Sequence, residues 1–192
     1  MTDWDRRVEA ELAAIHASGR YRSLRRLTAP QGPEIVLDGK TVINFSSNDS
    51  LGLADHESVK AAAREAITRY GAGSGASRLT AGNLDPFESL EAAFATYLGR
   101  ERVLYFSSGF QANAGVIPAL AGSDTVILSD EKNHASLIDG IRLSRATCQV
   151  FQHNDVASLE GLLKGLAPDV PVMVVTESLF SMAGDRAPLY EI

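Results

Sequence analysis

At 192 residues, with 45% hydrophobic and 22% charged side chains, the chain has the composition of an ordinary globular domain able to bury a sizeable core. A net charge of −6 argues against a nucleic-acid backbone or an anionic membrane as the main partner, since both reward clustered Lys and Arg, and only the arm Arg20, Arg22, Arg25, Arg26 is locally basic. Cys148 is the single cysteine, no apolar run reaches the roughly 18 residues of a membrane span, and Met1 to Arg20 carries acidic residues where a signal peptide would be basic and then apolar, so the expectation is a cytoplasmic protein without disulfides.

Trp4, Val8, Leu12 and Ile15 recur at helical spacing before Gly19, which predicts an opening amphipathic helix that packs on a body elsewhere. Glu34 to Leu37 and Thr41 to Phe45 are β-type runs around Asp38-Gly39, a pair suited to a tight hairpin turn. A helix from about Glu57 to Tyr70, a glycine-rich stretch from Gly71, and a helix from Pro86 to Leu98 follow. Strand-then-helix units come next: Val103 to Phe106 with Gln111 to Leu120, Thr125 to Leu128 with Ala135 to Arg145, and Cys148 to Phe151 with Ala157 to Leu166. Val172 to Thr176 supplies a last strand. This alternation predicts an α/β fold, a mostly parallel sheet with helices on both faces, divided into an arm over residues 1–45 and a partial large domain over 46–192.

In such sheets ligands sit beyond the carboxyl ends of the strands, which singles out Ser107 to Phe110, Asp130 to His134, His153 to Asp155 and Glu177 to Ser181. At Ser107-Ser108-Gly109-Phe110 a strand-to-helix turn with two hydroxyls leaves backbone N–H groups and a positive helix end for a phosphate; a serine-capped turn with no ligand is the plainer reading. The spacing matches neither a Walker loop nor a dinucleotide fingerprint. Gly71 to Arg78 either brings backbone close to a ligand or partner subunit, or merely connects two helices. His134, at a strand mouth and a helix start, could stack on a flat cofactor or simply cap the helix. His153-Asn154-Asp155 reads first as a cap through Asp155. His16 and His56 lack partners that suggest chemistry, and the histidines with Cys148 show no zinc-ligand spacing, so no metal is expected.

Seven strings in order carry a resemblance. They are Phe45-Ser46-Ser47-Asn48-Asp49 with Leu51-Gly52-Leu53, Gly73 to Arg78, Ser108 to Asn113, Ser129-Asp130, Asn133 to Ser136, His153 to Asp155, and Thr176 to Met182. Together, from about Leu24 onward, they resemble the α-oxoamine synthases, which are fold-type I pyridoxal-phosphate enzymes. Within that family the serine-rich start at Phe45, the glycine loop and the Thr176 string are most similar to the 8-amino-7-oxononanoate synthase branch, while Asn133 to Arg142 is as similar to 2-amino-3-ketobutyrate CoA ligase.

The resemblance implies pyridoxal 5'-phosphate as cofactor, an amino acid and an acyl-CoA or acyl-carrier thioester as small-molecule substrates, and a homodimer. It implies that the Gly109 and Phe110 backbone holds the cofactor phosphate, His134 stacks on the pyridine ring, Ser181 contacts the ring hydroxyl, Arg25 binds the acyl substrate's carboxylate, and Glu177 and Asn48 support them. The lysine that attaches the cofactor is expected downstream of Ser181, beyond Ile192, because Lys40, Lys60, Lys132 and Lys164 stand in none of the expected contexts; the chain therefore reads as an N-terminal fragment. Ser50 replaces a usual tyrosine, and Ala183 replaces an aspartate expected to fix its loop. A non-catalytic domain that pairs with a full-length partner is the competing reading.

Overall fold

A computed structural model describes residues 2–192. The chain divides into two compact units, the first running to Leu84 and the second from Asp85 to Ile192.

In the first unit, helix α1 (Asp3–Ala17) opens on a capping box in which Thr2 and Asp5 satisfy each other's backbone N–H groups. Its apolar stripe is not covered as expected, for Trp4 remains 70% exposed. Strands β1 (Glu34–Leu37) and β2 (Lys40–Ile43) pair antiparallel, with Leu37 opposite Lys40. Asp38 at φ 52° and Gly39 at φ 77° make the two-residue turn that the sequence pair suggested. Helix α2 (Glu57–Tyr70) starts at His56, whose ring accepts from the Ser58 N–H, and stops at Gly71. The small-residue stretch after Gly71 leads into a single π-helical turn, Arg78–Gly82.

The second unit holds α3 (Asp85–Leu98), α4 (Gly109–Leu120), β3 (Val126–Asp130), α5 (Ala135–Ser144), β4 (Thr147–Phe151), α6 (Val156–Lys164) and β5 (Val172–Val175). The three strands form a parallel sheet in the order β4-β3-β5, with Asp130 opposite Phe151 and Ser129 opposite Val175. Because side chains alternate along a strand, β3 feeds two cores. Ile127 packs with Ile117, Ala121 and Ile141 of the α4–α5 side, while Leu128 packs with Phe151 and with Leu159 of α6. Ile127 and Leu128 are fully buried, each contributing about 1.5–3 kcal/mol. The predicted sheet with helices on both faces is therefore present. The predicted strand at Val103 to Phe106 is not: no neighbouring strand among the described residues offers it a ladder, and the Tyr105 N–H donates to Glu91 Oε1 at 2.8 Å instead.

Helices α4 and α5 approach closely at Gly140, where an added Cβ would lie 2.5 Å from the Asn113 carbonyl oxygen. That contact brings Asn113 Nδ2 within 2.9 Å of the buried Ser136 Oγ. Among the described residues no helix is long and apolar enough to cross a membrane.

Candidate active site at the carboxyl ends of the strands

The parallel register delivers three segments to one end of the sheet, following β3, β4 and β5. Asn133, just past β3, is buried and donates from Nδ2 to Ser129 Oγ at 2.9 Å and to the Val175 carbonyl at 2.7 Å. It thus ties the end of β3 to the end of β5. His134 follows as the N-cap of α5. Its backbone N–H donates to Glu177 Oε1 at 2.6 Å, so two of the residues singled out by sequence meet directly.

The His134 ring is fixed through Nδ1. The Ser136 N–H reaches Nδ1 at 3.2 Å and the Ser136 hydroxyl lies 2.7 Å away. An amide N–H can only donate, so Nδ1 accepts and the neutral ring carries its proton on Nε2. Ser136 Oγ in turn accepts from Asn113. The ring, exposed on its outer side, is in this way coupled to α4.

Helix α4 opens at Ser108, whose hydroxyl accepts from the Gln111 N–H at 3.2 Å. Among the described residues the N–H groups of Gly109 and Phe110 meet no acceptor, and a Cβ built on Gly109 would find no atom within 4 Å. Two donors therefore point into open space at the positive end of a 12-residue helix, an arrangement that suits an anion. An apolar cleft of about 440 Å³, lined among others by Leu90, Phe94 and Tyr105, also reaches Gly109.

Ser181 stands exposed in the turn after β5, which closes through the Phe180 N–H to the Asp185 carbonyl (2.9 Å) and the Gly184 N–H to the Phe180 carbonyl (2.8 Å). Arg25 and Asn48 are exposed residues of the first unit. Asp155 caps α6, accepting from the Ser158 N–H at 2.9 Å, as the plain reading of that string held.

What sequence reasoning missed lies beside that cap. His153 Nδ1 is 2.8 Å from Asp130 Oδ1, and Nε2 is 2.7 Å from Asp185 Oδ2. The two carboxylates, that of Asp130 first, hold the His153 imidazole above its ordinary range. Burial pushes the Asp130 carboxyl up, but the Asn154 and Lys132 N–H groups and His153 outweigh it and leave the group below its ordinary value. The hydrogen bond from His153 likewise lowers Asp185. The register of β3 and β4 supplies the pairing: with Asp130 opposite Phe151, a residue two positions past Phe151 falls beside the β3 carboxylate. Asp185, two residues past Ala183, ties its turn to His153 and Asn154 by hydrogen bonds. Among the described residues no group of His, Cys, Asp and Glu has the arrangement of a metal site.

The model of aminotransferases of class I and II matches residues 40–192. The chain belongs to the aminotransferase class I and II family. Among its curated relatives in this family, the 8-amino-7-oxononanoate synthase of Anaeromyxobacter sp. (strain Fw109-5) is 49% identical over 99% of this chain and 47% of its own length. That of Geobacter sulfurreducens is 47% identical over 96% of this chain and 47% of its own. The chain thus spans about half the length of the curated relatives it matches. Among solved structures, a serine palmitoyltransferase of S. paucimobilis with a bound PLP–myriocin aldimine superposes with a TM-score of 0.88 at 32% identity, over 96% of this chain and 47% of that one. The 8-amino-7-oxononanoate synthase of Francisella tularensis gives 0.65 at 30% identity, over 77% and 40%. The resemblance to the α-oxoamine synthases and the fold-type I architecture are borne out by these relatives.

Proposed function

We propose that this chain supplies the cofactor cradle of an 8-amino-7-oxononanoate synthase, a pyridoxal-phosphate-dependent acyltransferase that condenses L-alanine with a pimeloyl thioester and releases carbon dioxide and the thiol carrier. The observation that carries the reading is the run of hydrogen bonds past the end of β3, in which Asn113 of α4 holds Ser136, Ser136 holds the His134 ring and Glu177 holds the His134 N–H, in a chain 49% identical to that enzyme of Anaeromyxobacter over nearly all its length.

The residues present fit the cofactor. The unpartnered Gly109 and Phe110 N–H groups offer two donors and a helix end to a phosphate dianion, and a Cβ on Gly109 would meet no atom within 4 Å. The His134 ring is held in one orientation through Nδ1, as a stacking face for a flat heterocycle requires. The buried Thr176 hydroxyl, just past β5, has no hydrogen-bond partner among the described residues. When bound, pyridoxal phosphate draws electrons from the amino acid's α-carbon, so that this carbon can lose a proton and attack the thioester.

The chain's own part is to bind and orient. Gly109 and Phe110 would hold the phosphate and His134 would stack on the ring, while Glu177 holds His134 by its backbone. Ser181, from the turn after β5, contacts the ring hydroxyl; Arg25 takes the carboxylate at the far end of the acyl substrate, with Asn48 in support. The attaching lysine belongs to the half of the relatives that this chain does not match, and the working protein is a cytoplasmic homodimer. The test joins this chain to the C-terminal half of a relative and supplies alanine with a pimeloyl thioester. Carbon dioxide and free thiol are expected; product from glycine but none from alanine overturns the assignment in favour of a 2-amino-3-ketobutyrate CoA ligase.

A further inference from the structure

His153 has no part in the cradle, yet it sits between two carboxylates. Its side chain is 11% exposed, between an Asp130 side chain that is 1% exposed and an Asp185 side chain that is 41% exposed. A neutral imidazole donates from one nitrogen and carries a lone pair on the other, so it can satisfy one carboxylate and must face the second with a lone pair. Only the imidazolium donates to both, at 2.8 and 2.7 Å.

The two carboxylates belong to different parts of the fold. Asp130 ends β3 and is itself fixed by the Lys132 N–H at 2.8 Å and the Asn154 N–H at 3.0 Å. Asp185 closes the turn after β5, on which Leu179 bridges Arg186 and Ser181 is exposed. Phe180 from the same turn is buried and meets the His153 ring edge-on at 4.5 Å. Asn154, at φ 56°, adds bonds from Nδ2 to Asp185 Oδ2 and to the Arg186 carbonyl, each 3.2 Å.

We propose that His153 is a positioning residue: as an imidazolium clamped between Asp130 and Asp185, it holds the Leu179 to Arg186 turn, and with it Ser181, against the carboxyl ends of β3 and β4. The role of Ser181 rests on the functional reading above; the clamp does not. The groups facing the ring are Asp130 from β3, Asp185 from the turn, and Lys132 from the loop after β3, whose charge opposes protonation. Because the folded His153 is held above the ordinary histidine value of about 6.5, the clamp is fully present below that value and is lost as pH rises through the raised one. Asp130 and Asp185, both lowered, set the acid limit: their contribution is present above about pH 4 and is lost as pH falls through their folded values.

The experiment is an NMR titration of the full chain, with hydrogen exchange of the turn amides. The clamp requires two ring N–H protons on His153 at neutral pH, a midpoint above 6.5 that moves down in Asp185→Asn, and turn-amide shifts that follow the same midpoint. It also requires that His153→Gln speed exchange of the Gly184 amide by about tenfold or more while the amides of β3 keep their protection. A single ring N–H with a midpoint at or below 6.5, or turn amides indifferent to both variants, overturns it. Asp185→Asn keeps the test decisive if His153→Gln fails to fold. None of these readouts needs the cofactor: a chain that shows the clamp but binds no pyridoxal phosphate when joined to a relative's C-terminal half sinks the functional reading alone, and one that binds it so joined with the turn unmoved sinks the clamp alone.

Discussion

Replacing Gly140 by alanine adds one methyl group where α5 meets α4, and the structure sets its consequence. The new carbon would stand 2.5 Å from the Asn113 carbonyl oxygen, 3.0 Å from Ile117 Cδ1 and 3.1 Å from the Asn113 carbonyl carbon. Two of these are backbone atoms that no rotamer change can remove, so the helices must separate by about 1 Å to restore ordinary contact. Overpacking of this kind costs about 1–3 kcal/mol. Separation also strains the Asn113–Ser136 hydrogen bond, worth about 1 kcal/mol net. Against this, Gly→Ala inside a helix gains about 1 kcal/mol. Gly161 in α6 is the control, since an added Cβ there meets nothing within 4 Å and only the helical gain remains. Gly140→Ala is therefore expected to be less stable than Gly161→Ala by about 2–4 kcal/mol, because the propensity gain cancels between them. Urea unfolding with equal slopes measures the difference. Equal midpoints for the two variants would refute the close approach, and with it the route by which α4 fixes Ser136 and the His134 ring.

Three further outcomes follow from the same geometry. Asp155→Ala removes the N-cap of α6 and should cost about 1 kcal/mol in urea unfolding, whereas Asp155→Ser should retain most of it. Acid titration followed by circular dichroism should show stability lost as pH falls through the lowered carboxylates, and Asp130→Asn should flatten that limb; an unchanged acid limb in the variant contradicts the assignment of Asp130. Borohydride reduction of the 192-residue chain after addition of pyridoxal phosphate should label no lysine stoichiometrically, since Lys60 is engaged by Asp55 and Glu57 and Lys164 by Glu160. Complete, specific labelling of one lysine, read by peptide mass, would show that the attaching lysine is already in hand.

Local chemistry made most elements legible. Asp38-Gly39 announced its turn because positive φ is costly for other residue pairs, and Gly71 and Gly99 marked the ends of α2 and α3 because helices stop readily at such residues. Val103 to Phe106 misled for the opposite reason: an apolar β-type run states a preference, but a strand exists only when a neighbour supplies its ladder. The covered face expected of α1 failed in the same way, because periodicity identifies an apolar stripe without identifying what lies on it. At the site, the segments after β3, β4 and β5 were found from the rule for parallel sheets, whereas Ser107 to Phe110 follows a run that forms no strand. Their pairing was not, since Asp130, His153 and Asp185 come from three separate segments and meet only once the register of β3 and β4 and the turn after β5 are set.

The central claim is that the start of α4 is a phosphate cradle, and Gly109→Pro tests it most directly. Proline is well accommodated at a first helical position, and Ser108 before it already has the extended backbone, φ −155° and ψ 155°, that a following proline demands. The change deletes one N–H and leaves the helix, while Gly109→Ala keeps the N–H in the same open space. In the chain joined to a relative's C-terminal half, the dissociation constant for pyridoxal phosphate should rise about 10- to 100-fold for Gly109→Pro and stay near the unsubstituted value for Gly109→Ala, the equivalent of about 1.5–3 kcal/mol for a hydrogen bond to a charged group. Undiminished affinity in a folded Gly109→Pro protein would contradict the account.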